Sequence, residues 1–166
     1  MDSLDKGAGA PATGETWVVA STSGVKVRKT SSPDGSVLGV LGLGSVITVT
    51  KQVRNGPDDL RGYVTSAKLG EGSWGQTDGG WCTLIYCVKG TPSKWVVTAS
   101  VGLNLRRKAD VNSAREALLP LNTQLTVTDI VKNGDYTWGR VAYAKAPDNE
   151  YWMDMGWVAL EYCKKA

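Results

Sequence analysis

The 166-residue chain contains no histidine and no phenylalanine. Without an imidazole base, neither a Ser-His-Asp triad nor a Cys-His pair can be built, and zinc sites lose a common ligand. Paired carboxylates, or serine with lysine, stay open as catalytic groups. We therefore expect no enzyme, no catalytic residue and no cofactor, with an unrecognised hydrolase as the least favoured alternative.

Long apolar stretches and concentrated charge are also missing. No run approaches the roughly 20 apolar residues that a membrane-spanning helix needs. Residues 1–16 lack the apolar core of a signal peptide, and their composition is typical of a flexible linker. A net charge of +3 does not indicate a basic face for nucleic acid. We expect neither a membrane nor a nucleic acid as partner.

Cysteine is scarce, with only Cys82, Cys87 and Cys163. No Cys-x-x-Cys spacing occurs, so no metal site is predicted. The odd count and the missing export signal favour reduced, buried thiols. A bridge between Cys87 and Cys163 is the alternative.

Small and β-branched residues are abundant. Val, Ile and Thr together make 37 residues and Gly another 20. This usage favours short strands joined by tight turns over helices. We expect an all-β fold.

The chain repeats itself. A shift of 78 residues places Trp17–Val19 on Trp95–Val97 and Val25–Arg28 on Leu103–Arg106. Of the 40 aligned positions from 17 to 56, 13 are identical, which indicates a duplication. The predicted domains are a flexible linker over 1–15, a first repeat over 16–88, a short linker over 89–93 and a second repeat over 94–166.

Beyond the first 40 positions the alignment changes register. Trp74-Gly75 aligns with Trp138-Gly139, which predicts an insertion in the first repeat within 57–73. The closing stretches 81–87 and 157–163 also match, which predicts an insertion in the second repeat within 142–155. Each repeat would then be one scaffold with a different loop enlarged.

Alternating residues predict the clearest strands. Residues 46–53 and 124–131 alternate apolar residues with threonine, so Ile47, Val49, Leu125 and Val127 should face inward and the threonines outward. Asn-Gly at the end of each predicts a tight hairpin turn. Residues 113–119 should be strand or irregular, since Pro120 would end a helix. Repeats of about 70 residues, with about five strands each, suit a small closed barrel.

Both repeats carry the same series of short motifs. These are Trp-Val-Val, a tetrad (VKVR or LNLR), a TVT strand, Asn-Gly, Trp-Gly and Gly-Trp-x-x-Leu-x-Tyr-Cys. The series resembles the bacterial SH3-like (SH3b) domain of phage endolysins and cell-wall hydrolases. The resemblance covers residues 17–163, is better in the second repeat, and implies two small SH3-like β-barrels in tandem.

The resemblance also implies a function. Such domains are non-catalytic, carbohydrate-binding modules that target peptidoglycan or an associated wall polymer, and a catalytic domain or subunit usually accompanies them. The expected place of action is the bacterial cell wall, for a secreted protein or a bacteriophage protein made in the host cytoplasm. The alternative is a protein–peptide or structural assembly module of phage or bacterial origin.

Comparing the repeats sorts the aromatic residues. An aromatic present in both copies is expected to serve the barrel, and one present in a single copy is free to bind ligand. The shared pairs are Trp17/Trp95, Trp74/Trp138, Trp81/Trp157 and Tyr86/Tyr162. The unshared residues are Tyr63, Tyr136, Tyr143, Tyr151 and Trp152. Trp74, Trp138, Tyr86 and Tyr162 are also candidates, because the resemblance places such aromatics at the border of the binding cleft.

Tyr151 and Trp152 are adjacent aromatics in an otherwise polar loop. In a strand they would point to opposite faces, so one could pack inward while the other meets ligand. Asp148 and Asp154 could accept hydrogen bonds from hydroxyl or amide groups. Alternatively, Trp152 fills a gap in the barrel. We expect the second repeat to be the main binder, with a second weak site adding avidity.

Arg28 and Arg106 end the two tetrads and are expected to be structural anchors. The basic run 106–108 could instead contact anionic phosphates of a wall polymer.

Overall fold

A computed structural model describes residues 14–153 and 156–166. The all-β class is confirmed: the described residues form strands and turns, and their only helix is a short 3-10 turn. The chain divides between Gly90 and Thr91 into two compact units, called the first and second unit below. Residues 1–13 of the predicted linker lie outside the described residues.

The first unit has eight strands, where about five were expected. They are β1 Glu15–Val19, β2 Val25–Arg28, β3 Val37–Leu41, β4 Val46–Gly56, β5 Asp59–Lys68, β6 Trp74–Gly75, β7 Gly80–Thr83 and β8 Cys87–Lys89.

The second unit also has eight strands among its described residues. They are β9 Ser93–Val97, β10 Leu103–Arg106, β11 Arg115–Leu119, β12 Gln124–Asn133, β13 Tyr136–Lys145, β14 Tyr151–Trp152, β15 Gly156–Ala159 and β16 Cys163–Lys165, with the 3-10 helix Leu160–Tyr162 before β16. Residues 113–119, expected to be strand or irregular, form β11 from Arg115 onward.

Each unit is one antiparallel sheet with the same strand order. The order is β3-β2-β7-β5-β4-β1-β8 in the first unit and β11-β10-β15-β13-β12-β9-β16 in the second. Among the described residues, no ladder joins the two ends of either order, so the closed barrel predicted from the sequence is not observed as a hydrogen-bonded ring. Every strand of the common order contributes a residue to the single apolar cluster of its unit, as in a strongly curled sheet.

The duplication is visible in single hydrogen bonds. The Nη1 of Arg28 donates to the carbonyl of Gly35 at 2.8 Å, and that of Arg106 donates to the carbonyl of Ser113 at 2.9 Å. Each bond pins the loop between the second and third strands of its unit. The prediction that both arginines are structural anchors is confirmed.

The tight hairpins predicted at the two Asn-Gly pairs are present, but Asn and Gly are not the two central residues of either turn. The turns fall one or two residues later, with Gly56 pairing Asp59 and Asn133 pairing Tyr136. The two asparagines have another role. Asn55 Nδ2 donates to the carbonyl of Ser31 at 2.9 Å, and Asn133 Nδ2 makes the equivalent bond to Ala109 at 2.7 Å. Each hairpin is therefore fastened to the loop that the arginine also pins.

The predicted alignment of Trp74 with Trp138 is wrong. Gly62 pairs Gln52 and Cys82, and Gly139 pairs Ile130 and Val158 at the equivalent positions of the second unit. Gly62 and Gly139 are therefore counterparts, and the residue before each is Arg61 in one unit and Trp138 in the other. Sequence reasoning was misled because Trp-Gly occurs twice in different structural places.

The prediction of different enlarged loops is also wrong. With β5 matched to β13, both insertions fall in the same loop, residues 69–79 and 146–155, which differ by one residue in length. Tyr63, predicted to lie in an insertion, is on β5. The two loops pair differently: Trp74-Gly75 adds to β3, whereas Tyr151-Trp152 adds to β13.

Inward positions of the TVT strands are largely as predicted. The four apolar residues are buried: Ile47, Val49, Leu125 and Val127. The prediction that the threonines of these strands face outward is wrong for Thr126 and Thr128, which are buried. The register shifts on both sides of Val127, but it shifts in the same way around Val49 of the first unit. There Thr48 is partly buried and Thr50 is exposed, so these bulges do not explain the burial of the two threonines.

All three cysteines are free thiols, as favoured above. Cys82 and Cys87 are also buried as predicted, whereas Cys163 is only partly buried. A hydrogen bond with Cys82, together with burial, raises the pKa of the Cys87 thiol. Burial raises the pKa of Cys163 from 9.0 to about 12.

Cys163 should make the stability of the second unit fall in alkaline solution. Its folded pKa lies above the unfolded value of 9.0, so between pH 9.0 and about 12 the unfolded chain loses the proton first. The contribution is therefore complete below pH 9.0 and is lost as the pH rises. Thermal unfolding of Cys163→Ala between pH 8 and pH 11 should show a shallower decline of Tm than the wild type. Equal slopes would contradict this assignment.

Candidate ligand-binding pocket

Three aromatic residues predicted to bind ligand come together in the second unit. Tyr136 and Trp138 lie two residues apart on β13, and Tyr162 ends the 3-10 helix. The ring centroids of Tyr136 and Trp138 are 6.0 Å apart, edge to face, and those of Tyr136 and Tyr162 are 6.1 Å apart. The rings line a pocket of about 320 Å³, called the aromatic pocket below. Its volume is at the small end of the range of about 300–1,000 Å³ for ligand sites.

The three rings have different parts in the aromatic pocket. Trp138 is 2% exposed, and its Nε1 donates to the carbonyl of Asn133 at 3.3 Å, so it forms a fixed floor. Tyr136 is half-buried and Tyr162 is 44% exposed. Their hydroxyl oxygens lie 3.4 Å apart. The tyrosines therefore present the accessible ring surface, and Trp138 supports them.

Glu161 fixes the helix that carries Tyr162. Its carboxylate accepts hydrogen bonds from the backbone N–H of Thr137 at 2.9 and 3.1 Å. Burial acts to raise the pKa of Glu161, but these hydrogen bonds outweigh it, and the pKa is below its ordinary value. The hydrogen bond with Tyr162 raises the pKa of Tyr136, which stays a neutral phenol at pH 7. The accessible surface is thus aromatic and uncharged at Tyr136.

Asn104 supplies the polar feature of the aromatic pocket. It lies on β10, and its side-chain carbonyl oxygen is buried without a hydrogen-bond partner among the described residues. Arg106 also lines the pocket, but its guanidinium is committed to the Ser113 carbonyl. Val101, 86% exposed, stands at the rim. The pocket therefore combines flat rings with one unpaired acceptor.

The equivalent place in the first unit is built from different residues. Asp59 and Arg61 stand where the second unit has Tyr136 and Trp138, and they form an ion pair with each other. Lys26 stands in place of Asn104. Of the three aromatic residues of the pocket, only Tyr162 has an aromatic counterpart in the first unit, which is Tyr86. The two units share a scaffold but not an aromatic pocket.

Three other predicted residues have a lysine ammonium over the ring. The nitrogen-to-centroid distances are 5.3 Å for Lys94 over Tyr143, 5.7 Å for Lys145 over Tyr151 and 5.5 Å for Lys51 over Tyr63. Tyr143 also accepts a hydrogen bond from Lys94 at 3.3 Å, and Tyr63 packs edge to face on Trp81 at 5.3 Å. These rings already have partners within their own unit.

The loop over 146–155 packs part of its length on the second unit. Trp152 is half-buried against the core and lines a second, more open pocket of about 520 Å³ with Leu118, Leu121 and Glu150. Asp148 accepts a hydrogen bond from the backbone of Glu150 at 3.1 Å, which shapes the turn. The predicted acceptor Asp154 lies outside the described residues.

The remaining first-unit candidates, Trp74 and Tyr86, are 58% and 57% exposed. Trp74 belongs to β6 on the edge of β3. Within the basic run, Arg107 pairs with Glu116 at 2.7 Å, so one of its three cations is already neutralised.

Sequence reasoning missed Asn104 and Val101 as pocket residues. A usable signal existed for Asn104, since it replaces Lys26 at the second position of the tetrad. Val101 carried no such signal, because a single exposed valine beside a glycine is ordinary until the pocket is seen.

The described residues contain no group of three or more Cys, Asp or Glu side chains placed to hold a metal ion. They also contain no helix long and apolar enough to cross a membrane.

The chain is an all-β protein of two duplicated units, one of which has an aromatic pocket. No protein-family model matches it, and no curated protein matches it either. It is similar to the solved structure of NlpC2 from Trichomonas vaginalis, with 13% sequence identity and a TM-score of 0.32. That similarity covers 92% of this chain and 48% of the other, so the chain spans about half the length of NlpC2. Likeness at this level does not identify a shared fold.

Proposed function

We propose that the chain is a non-catalytic module that binds the bacterial cell wall through the aromatic pocket of its second unit. The ligand is peptidoglycan or an associated wall polymer. The observation that carries the proposal is the pairing of two accessible tyrosine rings with an unpaired acceptor, at a place where the first unit has an ion pair. Flat rings stack on sugar faces and peptide planes, and the acceptor meets a hydroxyl or amide group.

The motif series of the two repeats supports the choice of ligand. It resembles SH3-like domains of wall hydrolases and endolysins, which deliver a separate catalytic part to the wall. By analogy, we propose that a companion domain or subunit carries out catalysis and that this chain acts at the cell wall. The first unit acts as scaffold or as a weaker second contact, since its counterpart of the aromatic pocket is charged.

A peptide-binding assembly module is the second candidate. β11 stands at the end of the strand order, and within the described residues its outer edge carries no strand, whereas β3 carries β6. An extended peptide could add to such an edge. Ala117 makes this less favourable than in the first unit, where Gly39 at the same position lets β6 approach closely.

Co-sedimentation with purified walls from several bacterial species tests the proposed function. The wild type should pellet with walls and release no soluble fragments. Tyr136→Ala should lower the affinity by about 30-fold, the effect of losing a contact worth about 2 kcal/mol. Tyr151→Ala is the matched control, because that tyrosine lies outside the aromatic pocket and should leave binding unchanged.

Three results would count against this proposal. A wild-type protein that stays in the supernatant with every wall would refute wall binding. Loss of binding in Tyr151→Ala alone would place the site on the loop over 146–155 instead. Release of soluble fragments would identify a hydrolase.

A further inference from the structure

We propose that Asn104 selects the ligand of the aromatic pocket by accepting a hydrogen bond from an N–H or O–H group of that ligand. This inference rests on the proposed function of the same pocket. Its starting point is an unpaired oxygen. Asn104 lines the pocket, and its buried Oδ1 has no hydrogen-bond partner among the described residues.

A buried acceptor without a partner costs free energy, so folded proteins rarely keep one without a reason. Other polar side chains that line the pocket have partners of their own: Arg106 donates to the carbonyl of Ser113, and the hydroxyls of Tyr136 and Tyr162 lie 3.4 Å apart. A ligand in the pocket is the available source of a donor.

The scaffold does not require an amide at this position. Lys26 occupies it in the first unit, where it is exposed and lies opposite Val40 on the neighbouring strand. Asn104 lies opposite Leu118 in the same register. The same strand pairing therefore forms with either residue, and the asparagine is specific to the unit that has the aromatic pocket.

The surroundings define the class of ligand. The Tyr136 and Tyr162 rings favour a flat group, and the acceptor requires that an N–H or O–H donor lie close to it. An acetamido sugar and a peptide both offer a planar amide with an N–H. A ligand of the same shape without a donor would leave the oxygen unpaired and should be rejected.

Isothermal titration of the full chain with soluble wall fragments tests the role of Asn104. Asn104→Leu keeps the bulk but loses the acceptor, and should weaken binding about tenfold or more. Asn104→Gln keeps a neutral amide carbonyl as acceptor without burying a charge, and should bind more tightly than Asn104→Leu. Lys26→Leu is the matched control in the first unit and should bind like the wild type.

Thermal unfolding without ligand adds a second readout. The Tm of Asn104→Leu should equal or exceed that of the wild type, because an unpaired buried acceptor has been removed. A structural hydrogen bond at Asn104 would instead make Tm fall. Repeating the titration with an N-acetylglucosamine oligomer and with an alanine–glycine peptide shows whether a sugar or a peptide supplies the donor.

The outcomes separate the two proposals. If the wild type binds no wall fragment, the proposed function and this inference both fail. If the wild type binds and Asn104→Leu binds equally well, only the role of Asn104 is overturned. That role is equally overturned if Asn104→Gln is as weak as Asn104→Leu, or if Asn104→Leu loses both binding and Tm.

Discussion

Replacing Tyr136 by Asp and Trp138 by Arg together should abolish wall binding by the second unit while the unit stays folded. The double change installs the ion pair that Asp59 and Arg61 form at the same place in the first unit. The double change removes the accessible ring of Tyr136 and the supporting ring of Trp138 from the aromatic pocket. Contacts of this kind are worth about 2 kcal/mol or more each, so the affinity should fall by well over about 30-fold.

The scaffold around this pair is prepared for the exchange. Asn55 Nδ2 lies 3.4 Å from the Asp59 carboxylate, and its counterpart Asn133 is present in the second unit. Circular dichroism and thermal unfolding establish that the double variant folds, and co-sedimentation with walls measures its binding. Either single change should be less well tolerated, since it leaves a charge without its partner. A folded double variant that binds walls like the wild type would remove the aromatic pocket from the proposed function.

Much of the fold could be predicted because its signals are local. Alternating residues located β4 and β12, and the arginine at the end of each tetrad had the expected anchoring role. The duplication made such local signals more reliable, since each was observed twice. What failed was the step from local similarity to equivalence, where two Trp-Gly pairs were matched although one lies on β6 and the other on β13.

The aromatic pocket could be predicted only in part, because its residues are distant in sequence. Tyr136, Trp138 and Tyr162 were identified one by one as aromatic candidates, but only pairing of β13 with β15 brings them together. Asn104 was missed because its replacement of Lys26 in the tetrad indicates a difference between the repeats but not a ligand contact. Its meaning depends on a hydrogen bond that is not made, which no sequence pattern reports.

The equivalent loops over 69–79 and 146–155 pair with different strands, and the three-dimensional structure shows why. In the first unit, an ideal Cβ on Gly42 would lie 1.8 Å from the carbonyl oxygen of Glu71, and one on Gly39 would lie 2.4 Å from that of Trp74. These glycines let the loop over 69–79 lie against β3. The second unit has Ala117 and Pro120 at the same positions, so an equally close approach is blocked.

Gly42→Ala should therefore detach the first-unit loop from β3. The Cβ displaces Glu71 and breaks the hydrogen bond that the Gly42 N–H donates to Ser73 Oγ at 2.8 Å. We expect the first unit to lose about 1–3 kcal/mol of stability, the usual cost of overpacking. Hydrogen exchange of the peptide over 69–79 should accelerate, since its backbone would lose its partners on β3 and on Ser45.

Pro120→Ala is the matched control, because it places the same residue at the equivalent position of the second unit, where a Cβ is already present. It should leave exchange in the loop over 146–153 unchanged.

The two loops also give a functional contrast: if the second unit is the binder, Gly42→Ala should lower the Tm of the first unit without lowering affinity for walls. Unaltered exchange in Gly42→Ala would show that the loop does not depend on close contact with β3. A parallel loss of wall binding would mean that the first-unit loop, rather than the aromatic pocket alone, meets the ligand.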